Sequence, residues 1–204
     1  MRTLAATGVR DERVLEAVRK VPRHEFVPPD SRRRAYQDVP LPIPHDQVTT
    51  QPSLTARMIE ALALRGAERV LEIGTGHGFQ TALLATLAQE VWSVERWPDL
   101  AAAARVNLAR LGIDNAHVVV ADGTCGLPDQ APFEAVVVSA AFTRVPAPLS
   151  RQLAAGGRLV QPIGPGGNEE VALFVAEEGR LRRVALVTTA HFVRLVGRHA
   201  FSER

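Results

Sequence analysis

The chain has 204 residues, 46% of them hydrophobic, enough to bury a sizeable core, and it is read as one domain spanning 1–204. Its 24 basic residues, all arginine except Lys20, nearly balance 22 acidic ones for a net charge of +2; the dense basic runs, Arg32-Arg33-Arg34 and Arg182-Arg183, lack interleaved aromatics, which argues against a nucleic-acid groove. The lone Cys125 rules out an internal disulfide, no histidine or cysteine has metal-ligand spacing, and no run reaches the length of a membrane span, so neither a metal nor a membrane is expected. Residues 1–7 lack the apolar stretch of a secretory signal, and the expected location is the cytoplasm.

Residues 11–21 predict a helix: Asp11 can cap it, Val14, Leu15, Val18 and Val21 share a face, and Pro22 ends it. Pro22, Pro28, Pro29, Pro40, Pro42, Pro44 and Pro52 then interrupt any long element, so 23–52 reads as an ordered loop region with short extended pieces. Its apolar residues Phe26, Val27, Tyr36, Val39, Leu41 and Ile43 argue that it packs down as a cover. A polar run, His45 through Pro52, precedes a helix predicted over 53–64, with Leu54, Met58, Ile59 and Leu62 on its apolar face. Thr49 and Thr50 are either turn and cap residues or hydroxyls facing a pocket.

The stretch 70–85, VLEIGTGHGFQTALLA, organises the remainder. Val70-Leu71-Glu72-Ile73 reads as a buried strand, Gly74-Thr75-Gly76-His77-Gly78 as a tight turn, and 81–87 as a helix. Strand, glycine turn and helix make the ligand-handling corner of a doubly wound α/β fold, where backbone N–H groups approach a ligand without Cβ interference. The third glycine comes one residue too early for a dinucleotide fingerprint, and Glu72 would be badly placed beside a pyrophosphate. A carboxylate there suits a ligand bearing an ammonium or sulfonium, as S-adenosylmethionine does; the alternative is a glycine turn with no ligand.

A second strand, 91–95, ends in Glu95, about twenty residues past the first glycine, where an acidic residue accepts from ribose hydroxyls. An alanine-rich helix follows over 98–111, stopped at Gly112, then a third strand over 117–120. Asp122 after it could pair with an adenine amino group, with Gly123 leaving room for the ring; Asx-Gly turns are also common. Residues 133–139 form an apolar fourth strand, 145–153 a helix, and Gly156-Gly157 a turn into a strand over 158–163. Strands over 170–176 and 181–192 meet at Glu178-Gly179 as a hairpin. The series predicts an α/β fold whose mostly parallel sheet ends in antiparallel strands, and the tail, 197–204, reads as a loosely held terminus.

The motif VLEIGTGHGFQTALLA, with Ser93-Val94-Glu95, Ala121-Asp122-Gly123, Ala131-Pro132-Phe133, VPRHEFVPP and LPIP followed by Gln47 through Pro52, resembles the protein-L-isoaspartate O-methyltransferase family from Gly8 to about Leu195. The resemblance implies a seven-stranded class I, Rossmann-like methyltransferase fold over 65–196, with 1–64 supplying N-terminal helices and an active-site cover. It implies S-adenosyl-L-methionine as cofactor, S-adenosyl-L-homocysteine as product, and transfer to the α-carboxyl of L-isoaspartyl residues in damaged proteins or peptides, by an enzyme expected to be monomeric. On the same basis Glu72, Gly74, Thr75 and Gly76 would line the methionine part, Glu95 the ribose, and Asp122 with Gly123 the adenine. Thr50 stands where the family usually has its active-site serine, in a T-I-S-Q-P pattern that here reads Val48-Thr49-Thr50-Gln51-Pro52. The family's F-V-P-L, whose backbone helps hold the peptide, reads Phe192-Val193-Arg194-Leu195, which makes Thr49, Val193 and Arg194 candidate substrate contacts.

A carboxylate acceptor with a pKa of about 4 is already ionised at neutral pH, so the transfer needs no general base and Thr50 would orient rather than deprotonate. None of the six histidines receives a catalytic role, since none has a paired base, thiol or metal spacing. The departures at Val48, Thr49 and Arg194 keep two alternatives open: methylation of an ordinary aspartate in a dedicated partner, with aspartimide formation, or a cofactor-binding scaffold without catalysis.

Overall fold

The computed structural model describes residues 8–202. The expected N-terminal helix forms as α1 (Glu12–Lys20): the Asp11 carboxylate accepts from the Arg13 N–H at 2.8 Å, and the extended backbone of Val21 closes it. After it the chain makes 3₁₀ turns at Arg23–Phe26 and Pro29–Arg34 and a hairpin of β1 (Leu41–Ile43) with β2 (Gln47–Thr49). This proline-rich region therefore has more regular structure than the expected loop. Proline at the first position of a short helix loses only an N–H that has no intrahelical partner, so Pro29 starts a turn it could not continue. Helix α2 (Pro52–Ala61) stops short of the expected residue 64, because Ala63 takes a left-handed conformation (φ 47°) and turns the chain into the sheet.

The main sheet comprises β3 (Arg69–Ile73), β4 (Glu90–Glu95), β5 (Ala116–Val120), β6 (Phe133–Val138), β7 (Leu153–Ile163), β8 (Glu169–Glu177) and β9 (Arg180–Ala190). Its seven strands run in the order β5-β4-β3-β6-β7-β8-β9, parallel as far as β7, with β8 antiparallel to both neighbours. Helices α3 (Phe79–Ala85), α4 (Pro98–Arg110) and α5 (Ala147–Arg151) fill the connections. Helix α3 begins two residues earlier than expected, because left-handed Gly78 ends the glycine turn and serves as its N-cap. Helix α5 is shorter than expected, held between Pro146 at its N-cap and Gln152 at its C-cap. The Gly156-Gly157 turn is instead an irregularity inside β7: Phe133 pairs with Leu153 and Ala135 with Arg158, so the extra residues bulge out and Gly156 takes φ 74°.

Alternation along the strands divides the core across the sheet. Val70, Val91, Ala135, Val137 and Val160 pack with α1 to α4, whereas Leu71, Ile73, Val94, Val136, Val138 and Leu159 pack with Leu149 of α5 and Leu195. Each fully buried aliphatic side chain of this kind contributes about 1.5–3 kcal/mol. The described part of the tail, 197–202, is better held than expected: Phe201 N–H donates to Leu195 O, its ring meets Phe142 edge-on at 4.9 Å, and the Arg198 N–H donates to Asp122 Oδ2.

Candidate active site

Between the cover and the C-terminal ends of β3, β4 and β6 lies a cavity of about 770 Å³, in the crevice where the order of parallel strands reverses direction. Its size falls within the range of about 300–1,000 Å³ typical of small-molecule sites. One side is the glycine turn, whose Gly74, Gly76 and Gly78 have φ of 96°, 54° and 94°, conformations that side chains strain to adopt. A Cβ on Gly76 would lie 3.4 Å from Ile43 Cδ1, so the β1 strand of the cover sits directly on the turn.

Glu95, only 5% exposed, stands in the cavity wall at the end of β4. It accepts from the Gly76 N–H at 2.8 Å and the Trp97 N–H at 3.0 Å, fixing the turn to β4 while its remaining lone pairs stay open for hydroxyl donors. Glu72 was expected in the wall and instead lies one layer behind it, fully buried, because the pleat points it under the turn. Ser93 donates to it at 2.6 Å, Thr81 at 2.5 Å and the Gln80 amide at 3.0 Å, and Thr75, which does line the cavity, bonds Ser93 at 2.5 Å.

Burial raises the Glu72 carboxyl from 4.5 to about 7, opposed by the hydrogen bonds from Ser93, Thr81 and Gln80 and assisted by the nearby charge of Glu95. Between those values the native state holds a proton that the unfolded chain has released, so this group lowers the stability of the ligand-free protein as pH rises from 4.5 to about 7. A cationic ligand favours the carboxylate and reverses that preference. Calorimetry should find S-adenosylmethionine binding more tightly as pH rises through about 7, with proton release; Glu72→Gln should flatten the dependence, and a flat wild-type profile would contradict it.

Opposite the glycine turn the cover brings Thr49, Thr50 and Gln51 to the wall, and the end of β9 brings Thr188 through Val193. The group that arranges this side is Arg23, a residue to which the sequence reading gave no role. Its guanidinium, 2% exposed, donates to the carbonyls of Ala35, Gln37, Val39 and Thr50 and to Thr49 Oγ1, at 2.9 to 3.2 Å. Burial lowers its pKa to about 10, which leaves it a cation at neutral pH. Thr49 therefore spends its hydroxyl on fastening the cover, while Thr50 is held through its carbonyl with the side chain unclaimed among the described residues. Asp38 accepts from the Ser53 N–H at 2.9 Å and so caps α2 just beyond Thr50.

Two further fasteners went unread. His45 stacks on Trp97 at 4.0 Å and reaches both Asp99 oxygens at 2.9 Å, joining the cover hairpin to the start of α4. Arg57 donates to Thr188 Oγ1 at 3.0 Å and Val187 O at 2.5 Å, joining α2 to β9 in the cavity wall.

Other expected site residues stand apart. Val193 lines the cavity, but Arg194 turns away, its guanidinium carbon 4.7 Å from the centre of the Phe201 ring and one N–H on Pro165 O. Asp122 lies outside the cavity wall and its oxygens are taken by the protein: Oδ1 by Thr124 N–H and hydroxyl at 2.9 and 2.6 Å, Oδ2 by the Arg198 N–H at 2.7 Å. A Cβ on Gly123 would meet Ile73 Cγ2 at 2.5 Å, so the missing side chain serves packing against β3. Among the described residues no group of three or more His, Cys, Asp or Glu is placed to hold a metal ion.

The seven-stranded sheet, the glycine turn with its carboxylates and the crevice at the strand ends define a class I S-adenosylmethionine-dependent methyltransferase. The model of the family described as protein-L-isoaspartate(D-aspartate) O-methyltransferase (PCMT) matches residues 1–200, and the chain belongs to that family. It is 52% identical over 194 residues to a protein-L-isoaspartate O-methyltransferase of Methanoculleus marisnigri, covering 95% of this chain and 88% of that one. To the protein of that name from Anaeromyxobacter dehalogenans it is 53% identical over 169 residues, 82% and 81% of the two chains. A solved protein-L-isoaspartate O-methyltransferase superposes with a TM-score of 0.84 at 30% identity; the match covers 97% of this chain and 65% of the length of that one. A solved putative enzyme of the family from Plasmodium falciparum, in complex with S-adenosyl-L-homocysteine, shares the fold with a TM-score of 0.80 at 22% identity over 96% and 95% of the chains.

Proposed function

We propose that this enzyme transfers a methyl group from S-adenosyl-L-methionine to the α-carboxyl of L-isoaspartyl residues in damaged proteins and peptides. The observation that carries the reading is the two-sided cavity: carboxylates at a glycine turn on one wall and, on the other, Thr50, held through its carbonyl by a buried arginine with its hydroxyl unclaimed among the described residues. The residues present fit the cofactor. Glu95 offers acceptors to ribose hydroxyls, Gly74, Thr75 and Gly76 border the methionyl part, and Glu72 supplies negative charge from behind; Asp122 and Gly123 shape the adenine end through the 3₁₀ turn they begin rather than by an open carboxylate. When bound, the cofactor supplies an electrophilic methyl on a sulfonium.

The chain's task is positioning. The acceptor carboxylate is ionised at neutral pH, so the cover has to strip its water, and the Thr50 hydroxyl holds one oxygen while the other is aimed at the methyl about 3–3.5 Å away. Thr49 acts through Arg23, and the Val193 backbone borders the peptide; Arg194 lies beyond, where only flanking residues of a longer peptide would reach it.

The enzyme works as a single domain of cover (1–64), core (65–196) and tail (197–204), as a monomer in the cytoplasm and on peptide rather than nucleic acid. No helix among the described residues is long and apolar enough to cross a membrane. Arg32, Arg33 and Arg34 stand exposed on a 3₁₀ turn outside the cavity wall, which supports peptide over nucleic acid as the partner. Repair gives a direct test. An isoaspartyl peptide incubated with enzyme and S-adenosylmethionine should convert progressively to the aspartyl peptide with release of methanol, as the ester collapses to a succinimide and hydrolyses. A peptide unchanged after many cofactor equivalents would refute the assignment.

A further inference from the structure

Of the buried polar atoms that lack a hydrogen-bond partner among the described residues, Gln80 Oε1 and Thr55 Oγ1 belong to cavity-wall residues. A hydroxyl can rotate to donate or accept, but an amide carbonyl can only accept, so Gln80 is the more specific signal. The residue is 93% buried (7% exposed) near the start of α3, and its orientation is determined: the amide nitrogen donates to Glu72 Oε1 at 3.0 Å and to Ser139 Oγ at 2.9 Å. With Glu72 ionised, as a bound cation favours, the amide nitrogen must face it, and the carbonyl is left buried without a donor among the described residues on a side chain that lines the cavity. An acceptor buried in this way is costly unless a ligand supplies the missing N–H or O–H.

Its position says which part of a ligand that is. Glu95 ends β4, Gly74 follows β3 and Ser139 follows β6, and these strands are neighbours in that order. A cofactor with its ribose at Glu95 and its length across the glycine turn places its adenine towards β5 and its amino-acid end towards β6. Gln80, tied to Ser139, stands at the amino-acid end, and the Glu72 carboxylate behind its amide favours a cationic donor. Building on the proposed cofactor reading, we infer that Gln80 Oε1 is the acceptor for the α-ammonium of S-adenosylmethionine, and that the Glu72–Gln80–Ser139 chain exists to hold that carbonyl in place. Gln80 is then a binding residue for the donor, and it takes no part in activating the acceptor.

The test compares S-adenosyl-L-homocysteine with its analogue in which the α-amino group is replaced by hydrogen, by calorimetry on wild type and Gln80→Met. Wild type should prefer the amino compound by roughly tenfold to a hundredfold, the range of a hydrogen bond to a charged group, and Gln80→Met should reduce that preference to about threefold or less. A Gln80→Met protein that binds both ligands and keeps the wild-type preference overturns the inference. Should the substitution prevent folding, the ¹³C resonance of the wild-type Gln80 carboxamide decides. It should shift with S-adenosyl-L-homocysteine and not with the deaminated analogue, and an equal response to both overturns the inference. If wild type binds neither compound, the cofactor reading itself fails; if it binds both without discrimination, only the role of Gln80 fails.

Discussion

Arg23→Lys should lower methyl transfer by tenfold or more while leaving the affinity for S-adenosyl-L-homocysteine within about threefold of wild type. The guanidinium satisfies five acceptors spread along the cover, from Ala35 to Thr50, with a planar set of donors. An ammonium has three donors around one point and cannot reach them together, so Thr49 Oγ1 or the Thr50 carbonyl is left unmatched and the Thr50 hydroxyl loses its aim. The glycine turn is held separately, by Glu95, and keeps its shape. Arg23→Ala removes the whole set and should cost about 3–5 kcal/mol in chemical denaturation, the scale for stripping a buried charge from its partners. A lysine variant with wild-type kcat and KM would show that the cover does not position the acceptor.

Glu95→Ala should weaken S-adenosyl-L-homocysteine binding by on the order of a hundredfold, since a buried carboxylate accepting several hydrogen bonds is lost from the donor side. Two backbone donors, Gly76 N–H and Trp97 N–H, lose their acceptor as well, so the glycine turn loosens together with the ribose site. Glu95→Gln retains the volume but can direct an amide N–H₂ at one of those donors, and should fall between Ala and wild type. Both effects should appear mainly in the KM for the cofactor, with kcat at saturation less affected. Equal cofactor affinity in the alanine variant would remove Glu95 from the site.

The parts legible in the sequence are those in which local pattern and tertiary role coincide. Val70 through Gly78 must be a buried strand and a left-handed turn wherever it is placed, and Glu95 comes at the strand end by spacing alone. Boundaries moved where a single residue's backbone decided them, as at Ala63 and Gly78, or where two glycines proved to be a bulge instead of a turn at 156–157.

The site was less legible because its architecture depends on long-range contacts. Arg23 reaches carbonyls 12 to 27 residues away, and His45 meets Asp99 across 54 positions, separations at which no periodicity operates. VPRHEFVPP marked the segment without revealing that its arginine is buried. Asp122 shows the limit of a local pattern: an Asx-Gly pair at a strand end carries the same signature whether its carboxylate meets a ligand or caps a turn, and in the ligand-free chain its oxygens accept from Thr124 and Arg198. Gln80 was within view in the motif, but an orphaned carbonyl is visible only once its amide has partners.

An acceptor held by the cover faces a donor held by the glycine turn, and the most direct measurement of that arrangement is methyl transfer from labelled S-adenosylmethionine to matched peptides differing only in L-isoaspartate or aspartate, with Thr50→Ala alongside. The isoaspartyl peptide should exceed its isomer in kcat/KM by on the order of a hundredfold, because moving the carboxylate by about 1 Å costs that much, and the substitution should reduce its labelling. Equal labelling of both peptides, or labelling of neither by enzyme with cofactor bound, would contradict it.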